Sequence, residues 1–419
     1  MPYFEEKRDG NPMIDDPNEM PDDELPIGEE SDSPEDEAIP EPKAKGWLPI
    51  KLRGRHILIA ITGHGFGHAV RVLQVANRLK QLDPQLEFTV VTPVAEWFLR
   101  DALRVPFRLL PMRLDLGTVQ SDAIEADPLA TLQQYEQFIL HREALFNSLQ
   151  EALVDTPVDL VLSDLPPVAS EFGAWLGVPV VGIGNFSWDW IYGEYAEMYP
   201  EYSWVVEEIR TQYQMTDLLL ELPYAGDLSA FPERDDIPWI CRKGLLEPQE
   251  TRKRLKLDPI KPIAVVSFGG LGMDVRLPDG EWSKNIDFFV MAPVNRIVGK
   301  GKVVENSVLA SRHVTFPDLI RAASVVVTKP GYGIVSECIA AGVPMLYASR
   351  KHFREYPLLV NGMKRHIRAE ELTKEMLTTG EWKPAFEALL GKRTLAAEPD
   401  PDTDGDKIAA ELIMKKLES

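Results

Sequence analysis

Cysteine is nearly missing from this chain: Cys241 and Cys338 are the whole complement. Two thiols cannot build a disulfide framework, so a reducing, cytoplasmic setting is expected. Long apolar runs are missing too. None approaches the roughly 20 residues needed to span a bilayer, although apolar residues make up 44% of the sequence. The start of the chain carries no basic-then-apolar secretory segment. Basic residues are scarce, with 45 Lys and Arg against 66 Asp and Glu, a formal net charge of −21. Phosphate backbones require a basic footprint, so nucleic acid is not an expected partner, and no polybasic membrane anchor is present.

The acid is unevenly placed. Residues 1–45 hold 16 Asp or Glu against Lys7, Arg8, Lys43 and Lys45, which puts −12 there and leaves −9 for the rest. With almost no periodic apolar positions, that stretch cannot bury enough surface to offset its ordering entropy, and a disordered tail is expected. It would serve as a solubilising leader or as an arm for a protein partner.

What is abundant is a rhythm. His56–Ile61 reads as a strand buried on both faces, followed by a turn and a helical pattern over Ala69–Leu82. Strands follow at Phe88–Thr92, Phe107–Leu110, Val158–Ser163 and Val178–Ile183, with helices at Ala95–Leu103, Leu129–Leu153 and Ala169–Leu176. The pattern resumes with strands at Pro262–Ser267, Asp287–Ala292, Lys302–Val304, Ser324–Thr328 and Val343–Ala348, and a helix at Val335–Ala341. Alternation of this kind predicts βαβ units and parallel sheets. The fold class is therefore α/β, as two Rossmann-like domains: a tail to residue 45, domains over 46–240 and 241–400, and a final helix over 401–419 that packs back on the first domain. The connection between domains is placed in Leu222–Lys261, rich in Pro, charge and turn residues.

Two glycine turns carry the chemistry. Gly63-His64-Gly65-Phe66-Gly67-His68 joins a strand to a helix, where free N–H groups and a partial positive charge suit phosphate. It departs from the dinucleotide fingerprint, because His68 stands where the third glycine belongs and no acid ends the next strand. NAD is discounted. His64 and His68 lie at the C-terminal edge of the sheet, where such folds bind ligands, and imidazole there can act as a base. Asp164, ending Val158–Ser163, faces the same crevice and is positioned to orient His68. Asn185-Phe-Ser-Trp188-Asp189-Trp190 offers stacking faces and hydroxyl partners for a sugar or other acceptor. No Cys/His set completes a zinc site around the histidines, and Asp400-Pro-Asp402-Thr-Asp404 reads as a solvated turn, so no metal is expected.

The second turn is Thr328-Lys329-Pro330-Gly331-Tyr332-Gly333, opening a helix that holds Ser336 and Glu337. A glutamate at the mouth of a helix can accept hydrogen bonds from vicinal ribose hydroxyls, while the glycines let a diphosphate approach. The adjacency of Ser336 and Glu337 rules out a Ser-x-x-Glu capping box.

The stretch from Ser324 to Asn361 resembles the donor-binding region of glycosyltransferase family 28, which has the GT-B fold of two facing Rossmann-like domains. The matching residues are Gly331–Gly333, Ser336-Glu337 with Gly342-Val343-Pro344, and Arg350-Lys-His-Phe-Arg-Glu355 through Asn361. By that resemblance Glu337 would bind ribose, and Glu355 with Asn361 would reach the donor sugar or its phosphates. Ser267-Phe-Gly269-Gly270 resembles the family's diphosphate loop, and Gly63–His68 its N-terminal glycine loop. The N-terminal region of plant-type L-arabinokinases is similar in Gly63–His68, in Ser163-Asp164-Leu-Pro-Pro167-Val-Ala169 and in Asn185-Phe-Ser-Trp188-Asp189. Their separate kinase domain has no counterpart here, so kinase activity is not implied. The family's downstream run has glutamine where Glu355 stands, so the donor sugar is expected to differ.

The expectation is an inverting, metal-independent transfer from a nucleotide-sugar, UDP-linked, to an acceptor hydroxyl. His68 would be the base, Asp164 its support, and Lys329 or Arg350 the charge opposite the diphosphate. No cofactor is expected beyond the nucleotide-sugar substrate. Two alternatives stay open: a nucleotide-sugar epimerase or hydrolase, and a non-catalytic nucleotide-sugar-binding regulator.

Overall fold

The computed structural model describes residues 55–64, 66–120, 125–269, 274–292, 296–391 and 401–418. The acidic segment at residues 1–45, Gly65 and Gly270 lie outside the described residues. Two parallel sheets organise the chain. The first is built from His56–Ile61 (β1), Glu87–Val91 (β2), Arg108–Leu110 (β3), Leu160–Asp164 (β4), Val180–Gly184 (β5), Leu218–Glu221 (β6) and Arg234–Asp236 (β7), in spatial order β3-β2-β1-β4-β5-β6-β7. The second contains Ile263–Ser267 (β8), Asp287–Met291 (β10), Lys302–Val304 (β12), Val325–Thr328 (β13), Met345–Ala348 (β14) and Ala369–Leu372 (β15), in order β12-β10-β8-β13-β14-β15. Asp274–Arg276 (β9) and Arg296–Val298 (β11) pair separately.

Central strands are legible because helices cover both their faces, and β1, β4 and β5 are buried at every position. In each sheet the order reverses beside the first strand, and ligands of open α/β sheets sit at such a switch point. In the first sheet that point lies between β1 and β4. Their register sets Ile61 opposite Asp164, and the Thr62 amide donates to the Asp164 carbonyl at 3.1 Å. In the second it lies between β8 and β13, with Ser267 opposite Thr328. The glycine turns after β1 and after β13 therefore both hang at switch points. They also meet: a Cβ on Gly333 would lie 3.2 Å from the Gly67 Cα.

Several expectations change. The single helix over Leu129–Leu153 is two, Pro128–Leu140 and Arg142–Leu153, parted by His141 at φ −102° and ψ 7°; neither glycine nor proline marks the break. The aromatic run after β5 is largely helical. Trp188 opens a helix through Met198, followed by another over Ser203–Tyr213. The stretch Leu222–Lys261 is more ordered than its composition implies, holding β7 and the helix Pro248–Leu255. Among the described residues no helix is long and apolar enough to cross a membrane.

The last helix, Gly405–Glu418, lies against the helix Phe66–Leu82, with Ala409, Ala410 and Ile413 fully buried and Arg78 paired to Asp406 at 3.2 Å. Gly405 is its anchor. A Cβ there would stand 2.1 Å from the Pro238 carbonyl oxygen, and the Gly405 amide donates to the Trp239 carbonyl. Backbone cannot yield as a side-chain tip can. Gly405→Ala should therefore lower stability by about 1–3 kcal/mol, the range for overpacking. A urea titration checks it, and an unchanged midpoint would show the contact is soft.

Candidate functional site

The crevice of the first sheet is built around a carboxylate. Asp164 ends β4 fully buried, and His68, on the first turn of the helix after β1, turns its Nδ1 to within 2.8 Å of Oδ1. The carboxylate accepts that proton, so the unprotonated Nε2 is left as the basic atom (a tautomer inferred from the partners). A residue missed by sequence reading completes the group. Arg71, one helical turn beyond His68 and 1% exposed, donates through Nε to Oδ2 at 2.5 Å and through Nη2 to Oδ1 at 2.6 Å. Its Nη1 donates to Asn185 Oδ1 at 2.8 Å. Burial pushes the Asp164 carboxyl up, but Arg71 and His68 overcome it and hold it below the usual carboxylate range. Burial lowers the His68 imidazole, with Asp164 pulling up and Arg71 pulling down. A neutral His68 at neutral pH follows.

His64 sits on the turn itself, its ring edge-on to Trp188 at 5.5 Å between centroids. The Thr118 amide donates to its Nδ1 at 3.3 Å, and Gly117, at φ +64°, packs its backbone against the ring. Burial drives the His64 pKa well down, and the interaction with His68 and the charges of Arg350 and Lys329 lower it further. Arg350 and Lys329 come from the second half, so both halves set the charge around His64.

Asp115, also missed, ties the turn to the aromatic wall. It accepts from Thr62 Oγ1 at 2.9 Å and from the Trp188 indole N–H at 3.1 Å. Burial pushes its pKa from 3.8 up to about 6, against the pull of those hydrogen bonds. The fold thus favours the protonated acid, which binds more protons folded than unfolded between those limits. Its contribution is full below the unfolded value and is lost as pH rises to about 6. At ~1.4 kcal/mol per unit, the loss is on the order of 3 kcal/mol. Denaturant melts of the native chain and Asp115→Asn across that window should differ in slope; parallel curves would contradict it.

On the second sheet, Gly269 follows β8 at φ +74° and lies beside the Lys329 side chain. Gly331 is the N-cap of the helix Tyr332–Ala341, and a Cβ there would meet nothing within 4 Å, so its surface opens on space. Tyr332 is buried and stacks obliquely on Trp239 at 4.9 Å. Arg350 lies over the Phe353 ring at 3.3 Å and 3.5 Å from Glu355. Burial lowers the arginine and raises the glutamate, each opposing the other's shift. The loop carrying them reaches the first half: Tyr195 Oη donates to the His352 carbonyl at 2.7 Å, and Arg354 donates to the Trp190 carbonyl at 2.7 Å.

The remaining anticipated residues have partners within the fold or lie open to solvent. Ser336 is fully buried and donates to the Gly333 carbonyl at 2.8 Å, so its hydroxyl is spent inside its own helix. Glu337 is 4% exposed and accepts from Arg242 Nε at 2.7 Å. Burial raises its carboxyl while Arg242 pulls down. Asp189 turns to the neighbouring helix, 3.6 Å from Arg210, and Asn361 stands exposed. Trp188 and Asn185 are each 2% exposed, the indole bonded to Asp115 and the amide oxygen to Arg71. Among the described residues no group of three His, Cys, Asp or Glu is placed to hold a metal ion.

No family model matches the chain. L-arabinokinase of Arabidopsis thaliana is 29% identical over 377 residues, covering 87% of this chain but 35% of the kinase. The chain thus spans about a third of that relative's length. Among solved structures, the calicheamicin glycosyltransferase CalG4 superposes with a TM-score of 0.55 at 17% identity, over 88% of this chain and 99% of its own. A glycotransferase of kitacinnamycin gives 0.53 at 17% identity, over 86% and 99%. A UDP-glucosyltransferase from Polygonum tinctorium, capable of glucosylating indoxyl, gives 0.53 at 14% identity, over 87% and 98%. Two parallel sheets with facing switch points, matched over nearly the full length of these enzymes, give the chain the fold of the GT-B glycosyltransferases.

Proposed function

We propose that the chain is a metal-independent glycosyltransferase that moves a sugar from a UDP-linked donor to an acceptor hydroxyl with inversion. The observation that carries the reading is the His68–Asp164 contact at 2.8 Å, set opposite the Gly331 turn of the second half. His68 Nε2 takes the proton as the acceptor oxygen attacks the anomeric carbon. The bond from that carbon to the diphosphate breaks on the opposite face, and one displacement inverts the centre. Charge on the departing diphosphate is met by the helix N-terminus at Tyr332 and by Lys329 and Arg350. Asn185 and Trp188 lie on the acceptor side, behind His64. In this reading the protein is cytoplasmic, and the acidic segment at residues 1–45 serves as a tail for a protein partner.

The test is a thermal-shift panel of UDP-sugars, since a ligand that binds only the native state raises its stability, followed by product analysis with and without candidate acceptors. A UDP-sugar that shifts the melt and yields a glycoside of inverted configuration supports the proposal. Free sugar or an epimer formed without acceptor would replace it with a hydrolase or epimerase. No shift with any nucleotide-sugar would sink it.

A further inference from the structure

Arg71 is a buried cation with neighbours from both halves of the fold. Its fork holds both oxygens of Asp164 and the amide oxygen of Asn185, and Nη2 stands 3.0 Å from His68 Nδ1. Across the crevice, its Cζ lies 5.4 Å from the centre of the Tyr332 ring. Tyr332 in turn opens the donor-side helix and is buried. A buried arginine in an apolar setting carries a large desolvation cost unless each donor is placed. Here the planar fork meets a carboxylate in two-point geometry that lysine cannot reproduce.

We propose that Arg71 is a positioning residue for the His68–Asp164 pair: it fixes the carboxylate against the imidazole and keys the pair to the donor turn through Tyr332. This rests on the glycosyltransferase reading for its purpose but not for its test. Two effects follow from one side chain. The fork prevents Asp164 from rotating away from His68. Its charge also offsets that of Asp164, so the imidazole is aimed without being made strongly basic. Contact with Tyr332 confines this arrangement to the state in which the glycine turns meet.

The groups facing His68 are Arg71 from its own helix, Asp164 from β4 and His64 from the preceding turn, with Tyr332 of the second half lying against Arg71. Uncharged Phe186 completes its surroundings at 5.5 Å. The experiment follows the His68 ring carbon by NMR in the labelled full-length chain, assigned with His68→Gln. Arg71→Gln should move the His68 titration up by about one pH unit, as loss of an adjacent like charge does, while Asp164→Asn should move it down. A titration that stays put in Arg71→Gln would overturn the proposal. Should Arg71→Gln fail to fold, the double variant Asp164→Asn/Arg71→Gln replaces the buried ion pair with two amides. Its His68 should titrate near the native value, because opposite influences leave together. A downward shift equal to that of Asp164→Asn would show that Arg71 only fills space. Neither readout needs turnover, so a chain inactive toward every nucleotide-sugar would end the transferase reading without touching this result.

Discussion

His68→Ala is expected to lower the rate of glycosyl transfer by roughly 10²- to 10⁴-fold, the usual worth of a positioned general base. Nucleotide binding should persist, because the residues proposed to hold the donor sit on the other half. The imidazole is lowered chiefly by burial, so it stays neutral, and competent as a base, below the ordinary histidine range. The acidic limb of kcat/KM should accordingly lie below pH 6.5. Asp164→Asn should lower the rate as well, since an amide no longer enforces the Nδ1–H tautomer. Steady-state rates across pH, with calorimetric binding of UDP, separate the two effects. If His68→Ala kept full activity in cells and bound ligand normally, the chain would be a sensor, and the base assignment would fall.

Glu337→Ala is the second large effect. Loss of two hydrogen bonds to a charged carboxylate, at about 1.5–3 kcal/mol each, predicts a fall in UDP affinity of roughly 100-fold or more. Because Glu337 already holds Arg242 at 2.7 Å, the variant also has a stability consequence with a definite sign. Glu337 is the buried member, its side chain 3% exposed against 18% for Arg242. Removing the glutamate lets the arginine turn toward water. Removing the arginine strands a carboxylate in the interior, at about 3–5 kcal/mol. Arg242→Ala should therefore melt well below Glu337→Ala. UDP calorimetry with paired denaturant curves reads both, and native UDP affinity in Glu337→Ala would end the ribose assignment.

The sequence announced some of this and hid the rest for physical reasons. β1, β4, β5, β8, β13 and β14 are apolar runs because helices cover both faces, and strand ends pointed to Asp164 and the two glycine turns. β7 is Arg-Asp-Asp, exposed at all three positions, and β15 is Ala-Glu-Glu-Leu. As the last strands of their sheets, both pair on one side, and neither has an apolar run to betray it. Arg71 was invisible because an arginine at helical spacing reads as a solvated face; only its three-dimensional partners reveal a buried role. Glu337 stood out as a carboxylate in an apolar helix, but its partner Arg242 lies in the charged connection, far off in sequence. Ser336 shows the converse, where motif membership named a hydroxyl that the helix backbone consumes.

The docking of Gly405–Glu418 on Phe66–Leu82 has a consequence for how the protein is made. During synthesis the first helix leaves the ribosome over 300 residues before the segment that covers it. At about 5–20 residues per second its apolar flank waits on the order of tens of seconds. Newborn chains in that interval present an uncovered sticky face to the cell, so chaperones have their longest opportunity there. Ribosomes that stall before residue 405 would leave the first domain a target for quality control, however well its sheet has formed.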